Sequence, residues 1–340
     1  MVLPISQPFA PMEALSIAEL PRGGGWQYEP KWDGFRCIVI RDGDDIALQS
    51  KAGQPLARYF PEVVDHVRSI DARRFVLDGE LVVSVRGTPS FGALQQRIHP
   101  AASRIARLAR ETPAQLMLFD LLVDERGRSL IDLPLAERRR RLALFTSRHL
   151  GGEADVLLSP ATTDRDIAQG WMDDLGGALD GVVAKRLDEP YQPGERALRK
   201  IKRVRTADCV VGGFRYGANG KGTAKLVGSL LLGLYGDDGL LHHIGHTSSM
   251  PAADRPALTR RLEAIRGEPG FTGRAPGGPS RWARDRDSSW IPVKPTLVVE
   301  VSFDHASEGR LRHGSRFVRF RPDKAPTQCT MLQLGQVVGA

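Results

Sequence analysis

Residues 29–36, Glu-Pro-Lys-Trp-Asp-Gly-Phe-Arg, strongly constrain the local fold of the N-terminal half of the chain. The Asp33-Gly34 pair favours a tight turn between two strands, which we predict at residues 24–30 and 35–40. Lys31 therefore lies at the end of a strand. A lysine amine has a pKa of roughly 10.4 and is a poor nucleophile unless its surroundings favour the uncharged form. Nearby positive charge would have that effect, although a single Lys-x-Asp-Gly is more often a simple strand-to-turn junction.

Four further stretches are informative, and three of them are short apolar strands with one or two charged or aromatic positions. The strand at residues 199–203 supplies positive charge, because alternation puts Lys200 and Lys202 on one face. The other three stretches are Leu-Asp-Gly-Glu-Leu-Val at 77–82, Leu-Phe-Asp-Leu at 118–121 and Asp-Gly-Val-Val-Ala-Lys at 180–185. Their order and spacing are more informative than any one of them.

Together the five stretches resemble motifs I, III, IIIa, IV and V of the covalent nucleotidyltransferases, the superfamily of DNA ligases, RNA ligases and messenger RNA capping enzymes. Near the C-terminus, Arg-Phe-Arg-Pro-Asp-Lys at residues 319–324 resembles motif VI. The resemblance thus extends over residues 29–324. Within the superfamily, residues 180–185 and 301–329 are similar to short bacterial ATP-dependent DNA ligases, of the ligase C type and of the ligase domain of ligase D.

This resemblance implies an ATP-dependent DNA ligase that seals nicks in duplex DNA during DNA repair. Lys31 would attack the α-phosphate of ATP, release pyrophosphate and carry AMP as a phosphoramidate. AMP would then pass to the 5′-phosphate of the nick, and the 3′-hydroxyl would displace it and seal the strand. The catalytic residues that the resemblance implies are Lys31, Lys200, Lys202, Asp323 and Lys324.

The same resemblance implies contacts with the nucleotide. Phe119 would stack on adenine, Glu29 would lie near the adenine amine, and Arg36 would touch the ribose and phosphate side of AMP. Lys200 and Lys202 would contact the α-phosphate, which lysine binds as a point charge. The expected nucleotide-binding residues are Glu29, Arg36, Glu80, Phe119, Lys185, Lys200 and Lys202.

In-line displacement at phosphorus requires charge neutralisation, so we expect a Mg²⁺ or Mn²⁺ ion with hard oxygen ligands. The resemblance points to Glu80 and Asp180 as its ligands. Most ligases have Glu at the position of Asp180, and a bound water could fill the gap that the shorter side chain leaves. Most ligases also have Ser-Arg where this chain has Ser50-Lys51. Lys51 keeps the positive charge but not the bidentate geometry, and we expect it to contact a DNA phosphate.

The pattern of strands and helices predicts an α+β protein of two domains. Residues 1–25 form a short leader with an amphipathic helix candidate at 12–20, too short for the separate DNA-binding domain of larger ligases. The resemblance implies that residues 26–205 form the adenylation (nucleotidyltransferase) domain, with antiparallel sheets and flanking helices. Residues 206–340 form an oligonucleotide-binding (OB) β-barrel domain, with one helix expected at 251–266.

Helices of the adenylation domain are predicted at residues 61–70, 91–110, 134–150 and 163–175. Four consecutive arginines, residues 138–141, are expected on the outer side of their helix, as a solvated face or as a contributor to DNA phosphate binding. In the OB domain, His242, His243 and His246 are expected to be ordinary strand residues. Alternation turns the first two to opposite faces, and no Cys or acidic residue follows at metal-ligand spacing.

Composition is compatible with a nucleic-acid partner. The formal net charge of +8 favours a polyanion. The three cysteines are too few and too scattered for a disulfide framework or a zinc site, which is typical of a reducing cytosol. No apolar run is long enough to span a membrane, so we expect a cytoplasmic, nucleoid-associated protein, most simply a monomer. The resemblance implies nicked duplex DNA as partner and, in some relatives, a primase-like repair polymerase or the Ku end-binding protein.

Two other functions are compatible with the sequence. The Lys-x-Asp-Gly core does not separate ATP from GTP, so an RNA ligase or a capping-type nucleotidyltransferase is the first alternative. The second is a basic DNA-binding module that has kept the fold without the activity. The presence of Lys31, Glu80, Lys200 and Lys202 together disfavours the second alternative.

Overall fold

The computed structural model describes residues 3–150, 155–173, 179–202, 204–217, 225–277, 289–304, 306–307, 309–312 and 314–334. Arg203, the last residue of the predicted lysine-bearing strand, and residues 174–175, the end of a predicted helix, lie outside these ranges. The chain divides into two compact units, residues 1–203 and 204–340. Every predicted site residue except Asp323 and Lys324 belongs to the first unit.

Two β-sheets form the framework of the N-terminal unit. Its strands are β1 (Ala14–Ser16), β2 (Trp26–Trp32), β3 (Phe35–Asp42), β4 (Asp45–Ser50), β5 (Arg74–Val85), β6 (Thr88–Pro89), β7 (Ala114–Val123), β8 (Val156–Leu158), β9 (Leu179–Arg186) and β10 (Leu198–Lys202). One sheet has the order β1-β10-β9-β2, and the other has the order β4-β3-β5-β7-β8, with β6 paired to β5. The pairs β1/β10 and β7/β8 are parallel and the others antiparallel.

The turn predicted at Asp33-Gly34 is confirmed, since it separates β2 from β3. A Cβ atom added to Gly34 would lie 2.1 Å from the carbonyl oxygen of Leu81. Only glycine allows the turn to approach β5 this closely. The turn therefore fixes the position of Lys31 relative to the second sheet.

The helices of this unit are α1 (Pro61–Ser69), α2 (Phe91–Gln96), α3 (Ala102–Glu111), α4 (Leu135–His149) and α5 (Arg165–Asp173). α1 begins at a proline, whose missing N–H costs nothing in the first turn. The single helix predicted over residues 91–110 is wrong, because Pro100 cannot continue a helix and separates α2 from α3. Ser90 caps α2 by accepting a hydrogen bond from the Ala93 N–H.

The helix predicted at residues 12–20 is also wrong. Residues 14–16 form β1, which pairs with β10 in parallel. Phe9 and Met12 are buried in one cluster with Tyr191, and the Met12 N–H donates a hydrogen bond of 2.9 Å to the Tyr191 hydroxyl. Residues of this N-terminal segment therefore contribute to the core of the N-terminal unit.

The prediction that the four arginines lie on the outer side of their helix is wrong for Arg138. It is fully buried on α4, and its guanidinium donates two hydrogen bonds to Asp120 on β7, of 2.9 and 3.0 Å. Helical spacing puts Arg138 in line with the buried residues Leu135 and Leu142. Arg138 therefore faces the core, and only Arg139, Arg140 and Arg141 are available to solvent.

The C-terminal unit is built around one antiparallel sheet. Its strands are β11 (Arg205–Tyr216), β12 (Val227–Tyr235), β13 (Leu241–Thr247), β14 (Ile291–Pro292), β15 (Val298–Phe303), β16 (Ala306–Ser307), β17 (Arg310–Leu311) and β18 (Arg316–Phe320), and its helix is α6 (Arg255–Ala264). The strand order is β13-β12-β11-β15-β18, with β14 paired to β11 and a separate β16/β17 hairpin. The predicted α+β class with a sheet-rich, OB-type second unit is confirmed. Within the described residues, no helix has the length and apolar character needed to cross a membrane.

Candidate active site

An open cavity of about 210 Å³ in the N-terminal unit is lined by residues of both sheets. The first sheet contributes Glu29 and Lys31 on β2, Lys185 on β9 and Lys200 on β10. The second sheet contributes Arg36 on β3, Glu80 on β5 and Phe119 on β7, and Lys51 follows β4 at the cavity. Folding thus brings eight predicted residues, which lie between positions 29 and 200 of the sequence, around one space.

The Lys31 amine lies against the carboxylate of Asp180. The register between β2 and β9 shifts by one residue at this point, and the extra residue on β9 turns Asp180 towards Lys31. The distance from Lys31 Nζ to Asp180 Oδ2 is 2.6 Å. Gly181 makes the bulge possible, because its φ is +139° and a Cβ there would lie 2.0 Å from the carbonyl oxygen of Ile201.

Two further lysines concentrate positive charge around Lys31. Lys202 Nζ lies 3.3 Å from the same Asp180 oxygen. Lys200 stands in register with Val183 on β9 and faces the cavity. Burial lowers the pKa of Lys200, and the charges of Lys31, Lys202 and Lys51 lower it further. The predicted accumulation of positive charge around the candidate nucleophile is therefore present.

Phe119 is flanked by two cations. Arg36 Cζ and Lys185 Nζ each lie 4.6 Å from the centre of its ring. Lys185 Nζ is 2.8 Å from Glu29 Oε2, and both side chains are almost completely buried. The other oxygen of Glu29 accepts a hydrogen bond of 2.7 Å from Gln27 Nε2. The aromatic surface is thus framed by charged groups that already have partners.

Two buried residues, Asp78 and Tyr191, hold Arg36, and neither was among the predicted site residues. Asp78 accepts hydrogen bonds from Arg36 Nε and Nη2, both 2.5 Å, and one from the Tyr191 hydroxyl, 2.7 Å. Burial and the neighbouring Asp78 carboxylate raise the pKa of Tyr191 well above its usual value, so its hydroxyl remains a donor. Asp78 could have been found within the Leu-Asp-Gly-Glu stretch. Tyr191 carries no local signal, because it is 113 residues from its partner.

Lys51 lies at the exposed rim of the cavity. Its side chain is 57% exposed, and its amine is 3.0 Å from Glu13 Oε2 in the segment before β1. This contact lowers the pKa of Glu13. Lys51 is therefore next to Lys200 at the nucleotide-sized cavity as well as open to solvent.

Residues 10–202 match the family model described as "ATP dependent DNA ligase domain", and residues 223–324 match "ATP dependent DNA ligase C terminal region". The chain belongs to the ATP-dependent DNA ligase family. As a member of this family, the ligase is an enzyme that uses ATP to form phosphodiester bonds in DNA. The RNA ligase, capping-enzyme and non-enzymatic alternatives are not favoured.

Individual relatives agree with this family membership. DNA ligase C2 of Mycolicibacterium smegmatis is 43% identical to this ligase over 354 residues, which cover 98% of this chain and 96% of that protein. The "multifunctional non-homologous end joining DNA repair protein LigD" of Mycobacterium tuberculosis is 33% identical over 325 residues, covering 94% of this chain and 39% of that protein. The predicted relation to ligase C and to the ligase portion of ligase D is confirmed.

A solved structure shows the same fold. A Lig E DNA ligase superposes with a TM-score of 0.54 at 16% identity, covering 91% of this chain and 100% of that one. At this identity the comparison supports the architecture alone.

Glu80 and Asp180, the predicted ligands of a divalent cation, each interact electrostatically with Lys31. Burial raises the pKa of Glu80 to about 7, against the opposing effects of Arg36 and Lys31. A bound cation would relieve this cost of burying a charge, and carboxylate oxygens are the ligands that Mg²⁺ and Mn²⁺ prefer. In the described part of the chain, no group of three or more His, Cys, Asp or Glu side chains could hold a metal ion alone. A cation here would therefore need oxygen ligands from substrate phosphates or water, as is common for Mg²⁺.

Asp323 and Lys324 lie in the C-terminal unit of the ligase, directly after β18. Lys324 Nζ is 3.5 Å from Asp208 Oδ2, and Arg321 Nη1 is 2.8 Å from Asp208 Oδ1. Arg321 also contacts Asp323 at 2.8 Å, which lowers the pKa of Asp323 to about 2. Gln333 fixes the backbone of Asp208. The Asp208 N–H donates a hydrogen bond of 2.9 Å to Gln333 Oε1, and Gln333 Nε2 donates one of 3.1 Å to the Asp208 carbonyl. Asp208 is thus the centre of this network, and its role was not predicted.

Proposed function

We propose that this ligase seals nicks in duplex DNA through a covalent lysyl-AMP intermediate on Lys31. The observation that carries the proposal is the environment of the Lys31 amine. The amine lies 2.6 Å from the Asp180 carboxylate. Lys31 lines a cavity that is also lined by Lys200 and by the aromatic ring of Phe119. A lysine amine, further cations suited to phosphate and an aromatic surface suited to a base thus line one cavity, which supports the proposal.

In the proposed first step, Lys31 Nζ forms a bond to the α-phosphorus of ATP. The bond from this phosphorus to the oxygen of the β-phosphate breaks, and pyrophosphate leaves. The amine must give up a proton to react, and the Asp180 carboxylate at 2.6 Å would accept it. Lys200 and Lys202 would bind the α-phosphate oxygens, where negative charge increases in the transition state.

The base and sugar of ATP would be held by residues whose geometry is set before binding. Phe119 would stack on adenine, and Glu29 would accept a hydrogen bond from the adenine amine beside Lys185. Arg36 would contact the ribose and phosphate side from a position that Asp78 fixes. This preorganisation lowers the cost of ordering the site when ATP binds.

Glu80 and Asp180 would hold Mg²⁺ or Mn²⁺, which when bound supplies neutralisation of phosphate charge. Glu80 can act as a ligand only when its carboxyl is ionised. Since its pKa is raised to about 7, the ligand form of Glu80 is favoured above neutral pH.

The later steps would take place on nicked duplex DNA. AMP passes from Lys31 to the 5′-phosphate, and the 3′-hydroxyl then displaces AMP. Lys51 at the exposed rim would contact a DNA phosphate. Asp323 and Lys324 would act in the first step, orienting the pyrophosphate leaving group.

We further propose that the ligase works as a monomer in DNA repair at the cytoplasmic nucleoid. A primase-like repair polymerase or the Ku protein would be its partner. The relative LigD is named as an end-joining DNA repair protein, which supports this setting.

The experiment that tests the proposal is incubation with labelled ATP or GTP, followed by a denaturing gel. We expect the wild type to retain label from ATP, and Lys31→Ala to retain none, while still sealing a nick that already carries AMP. The matched control is Lys294→Ala, which removes an exposed lysine of the C-terminal unit. Label from GTP alone, or full labelling of Lys31→Ala, would contradict the proposal.

A further inference from the structure

Ser159, in the loop directly after β8, connects the two sheets of the N-terminal unit beside the nucleotide cavity. It is completely buried. Its N–H donates a hydrogen bond of 2.8 Å to the Leu118 carbonyl on β7. Its hydroxyl accepts a hydrogen bond of 3.0 Å from the indole N–H of Trp32 on β2. Leu118 directly precedes Phe119 and Trp32 directly follows Lys31, so one serine joins the strand of the candidate nucleophile to the strand of the aromatic ring.

Trp32 is itself part of the cavity wall. Its side chain is partly buried and lines the same space as Lys31 and Phe119. The proposed nucleotide chemistry does not use it. A tryptophan that touches the cavity and is tied to a buried serine can influence the reaction through the position of its neighbour, Lys31.

The pairing of β2 is irregular at Lys31. Pro30 pairs with Val182 and Trp32 pairs with Leu179, so the register shifts across Lys31. In a regular ladder, the alternation of both strands determines the direction of a side chain, and a bulge removes that control. The direction of Lys31 therefore depends on contacts made by its neighbours, and the Trp32 indole supplies one of them on the C-terminal side.

Ser159 is held firmly by other elements of the same unit. The Arg139 guanidinium on α4 donates a hydrogen bond to the Ser159 carbonyl. Three residues further along the chain, Thr162 exchanges two backbone hydrogen bonds with the buried Tyr28 on β2, of 2.8 and 3.0 Å. The Ser159 hydroxyl is therefore a fixed point to which Trp32 is attached.

The geometry of phosphoryl transfer makes such a fixed point important. The reacting atoms must approach to about 3–3.5 Å in the right orientation, and a displacement of about 1 Å can slow a reaction by roughly 10²-fold. A hydrogen bond to a buried acceptor is also stronger than the same bond in water. Its loss would let Trp32 and the adjoining Lys31 shift relative to a nucleotide stacked on Phe119.

We propose that Ser159 is a positioning residue for Lys31, and that it acts through the hydrogen bond from the Trp32 indole. This role rests on the proposed function, because it takes Lys31 as the residue that carries AMP. The bond between Lys31 Nζ and phosphorus forms in AMP attachment and breaks when AMP passes to the 5′-phosphate. In the final step the 3′-hydroxyl displaces AMP from the DNA phosphate, and the lysine forms no bond. Loss of the Ser159 hydroxyl should therefore slow the first two steps and spare the third.

The test measures the single-turnover rate of AMP attachment over a range of ATP concentrations. Ser159→Ala removes the acceptor, and Trp32→Phe removes the donor while keeping an aromatic wall. Each should lower the rate at saturating ATP by roughly 10–100-fold, while the ATP concentration for the half-maximal rate changes by less than about threefold. The double variant should be no slower than the slower single variant, because the same bond is lost in all three.

The matched control is Trp26→Phe, which makes the same change on the same strand at a residue outside the described lining of the cavity. It should attach AMP at the wild-type rate. Thermal melting of each variant separates a slower reaction from loss of folding, and Trp32→Phe still tests the hydrogen bond if Ser159→Ala is unfolded.

Sealing of a pre-adenylated nick should stay near the wild-type rate in both single variants. AMP attachment at the wild-type rate in either folded variant would overturn the role of Ser159. Multiplied effects in the double variant, or an equal fall in pre-adenylated sealing, would also overturn it, since each would indicate a general effect on packing. If the wild type carries no AMP on Lys31, the proposed function fails and the positioning role fails with it.

Discussion

The nucleotide cavity of the N-terminal unit and three arginines of the C-terminal unit, Arg215, Arg274 and Arg310, place cationic side chains in opposite electrostatic settings. In the cavity, the cations are tied to carboxylates in the pairs Lys31 with Asp180, Lys185 with Glu29 and Arg36 with Asp78. Among the described residues, no carboxylate lies at ion-pair distance from Arg215, Arg274 or Arg310. Paired cations hold a fixed geometry before the substrate arrives, whereas unpaired cations attract a polyanion and make its binding depend on salt.

This difference assigns separate tasks to the two regions. Removing a carboxylate from the cavity should impair a chemical step, because a reacting or orienting group loses its position. Removing one of the three unpaired arginines should leave AMP attachment intact. Variants of the carboxylates test the first half of this contrast.

The largest effect is expected for Asp180→Ala. Without this carboxylate the Lys31 amine loses its proton acceptor and its orientation, and AMP attachment should slow by on the order of 10²–10³-fold. Single-turnover labelling with ATP measures the rate. Asp180→Glu, which introduces the residue that most ligases have at this position, should keep substantial activity. Equal loss in both variants would show that side-chain length, and not the carboxylate, limits the reaction.

Glu80→Gln tests the role of a second cavity carboxylate through the pH dependence of the free energy of unfolding. Between pH 4.5, where an unfolded Glu ionises, and about 7, the folded wild type binds a proton that the unfolded chain has lost. Wild-type stability therefore falls as pH rises through this window, by about 3 kcal/mol in all. Glu80→Gln should be more stable than the wild type above pH 7, with the gain disappearing towards pH 4.5, while nick sealing is lost. Denaturant unfolding at pH 5 and pH 8 is the measurement, and an equal difference at both pH values would contradict the assigned pKa.

Asp208→Asn tests, in the C-terminal unit, whether a carboxylate positions a cationic side chain for AMP attachment. This carboxylate contacts both Arg321 and Lys324, so its loss should misplace Lys324 and slow AMP attachment by roughly 10–100-fold. Sealing of a pre-adenylated nick should stay near the wild-type rate. Glu300→Gln is the matched control, since Glu300 lies 3.8 Å from Arg321 and contacts Arg319 more closely. If both steps slowed equally in Asp208→Asn, Asp208 would have a general structural role.

The smallest effect is expected for Tyr191→Phe. This change removes one hydrogen bond to Asp78 and one from the Met12 N–H, at a cost of about 1–2 kcal/mol in the free energy of unfolding. Because Asp78 orients Arg36, KM for ATP should rise a few-fold while kcat changes less. A change in stability with an unaltered KM would separate Tyr191 from the nucleotide site.

Residues within a local pattern could be predicted from the sequence. Lys31 follows from a strand and an Asp-Gly turn, Phe119 from a short apolar strand, and Lys200 from the alternation of side chains along a charged strand. The α+β class follows from the same strand patterns. In each case, neighbours in the sequence determine the position of the side chain.

Residues whose role depends on distant partners could not be predicted. Tyr191 and Asp208 act through hydrogen bonds and ion pairs to residues 113 positions away. Arg138 was misassigned because a run of like charges suggests a solvated face, whereas its partner Asp120 lies on β7. Residues 14–16 form a strand because β10 offers an open edge, which outweighs their weak helical pattern.

The most direct test of the account is to locate the AMP after incubation with ATP, by digesting the protein and identifying the modified lysine by mass spectrometry. Lys31, Lys51, Lys185 and Lys200 all line the cavity, so each is a possible acceptor on proximity alone. The account predicts AMP on Lys31, because its amine is held at 2.6 Å by Asp180 with Lys200 and Lys202 beside it. AMP on any other lysine, or no AMP on the wild type, would contradict it.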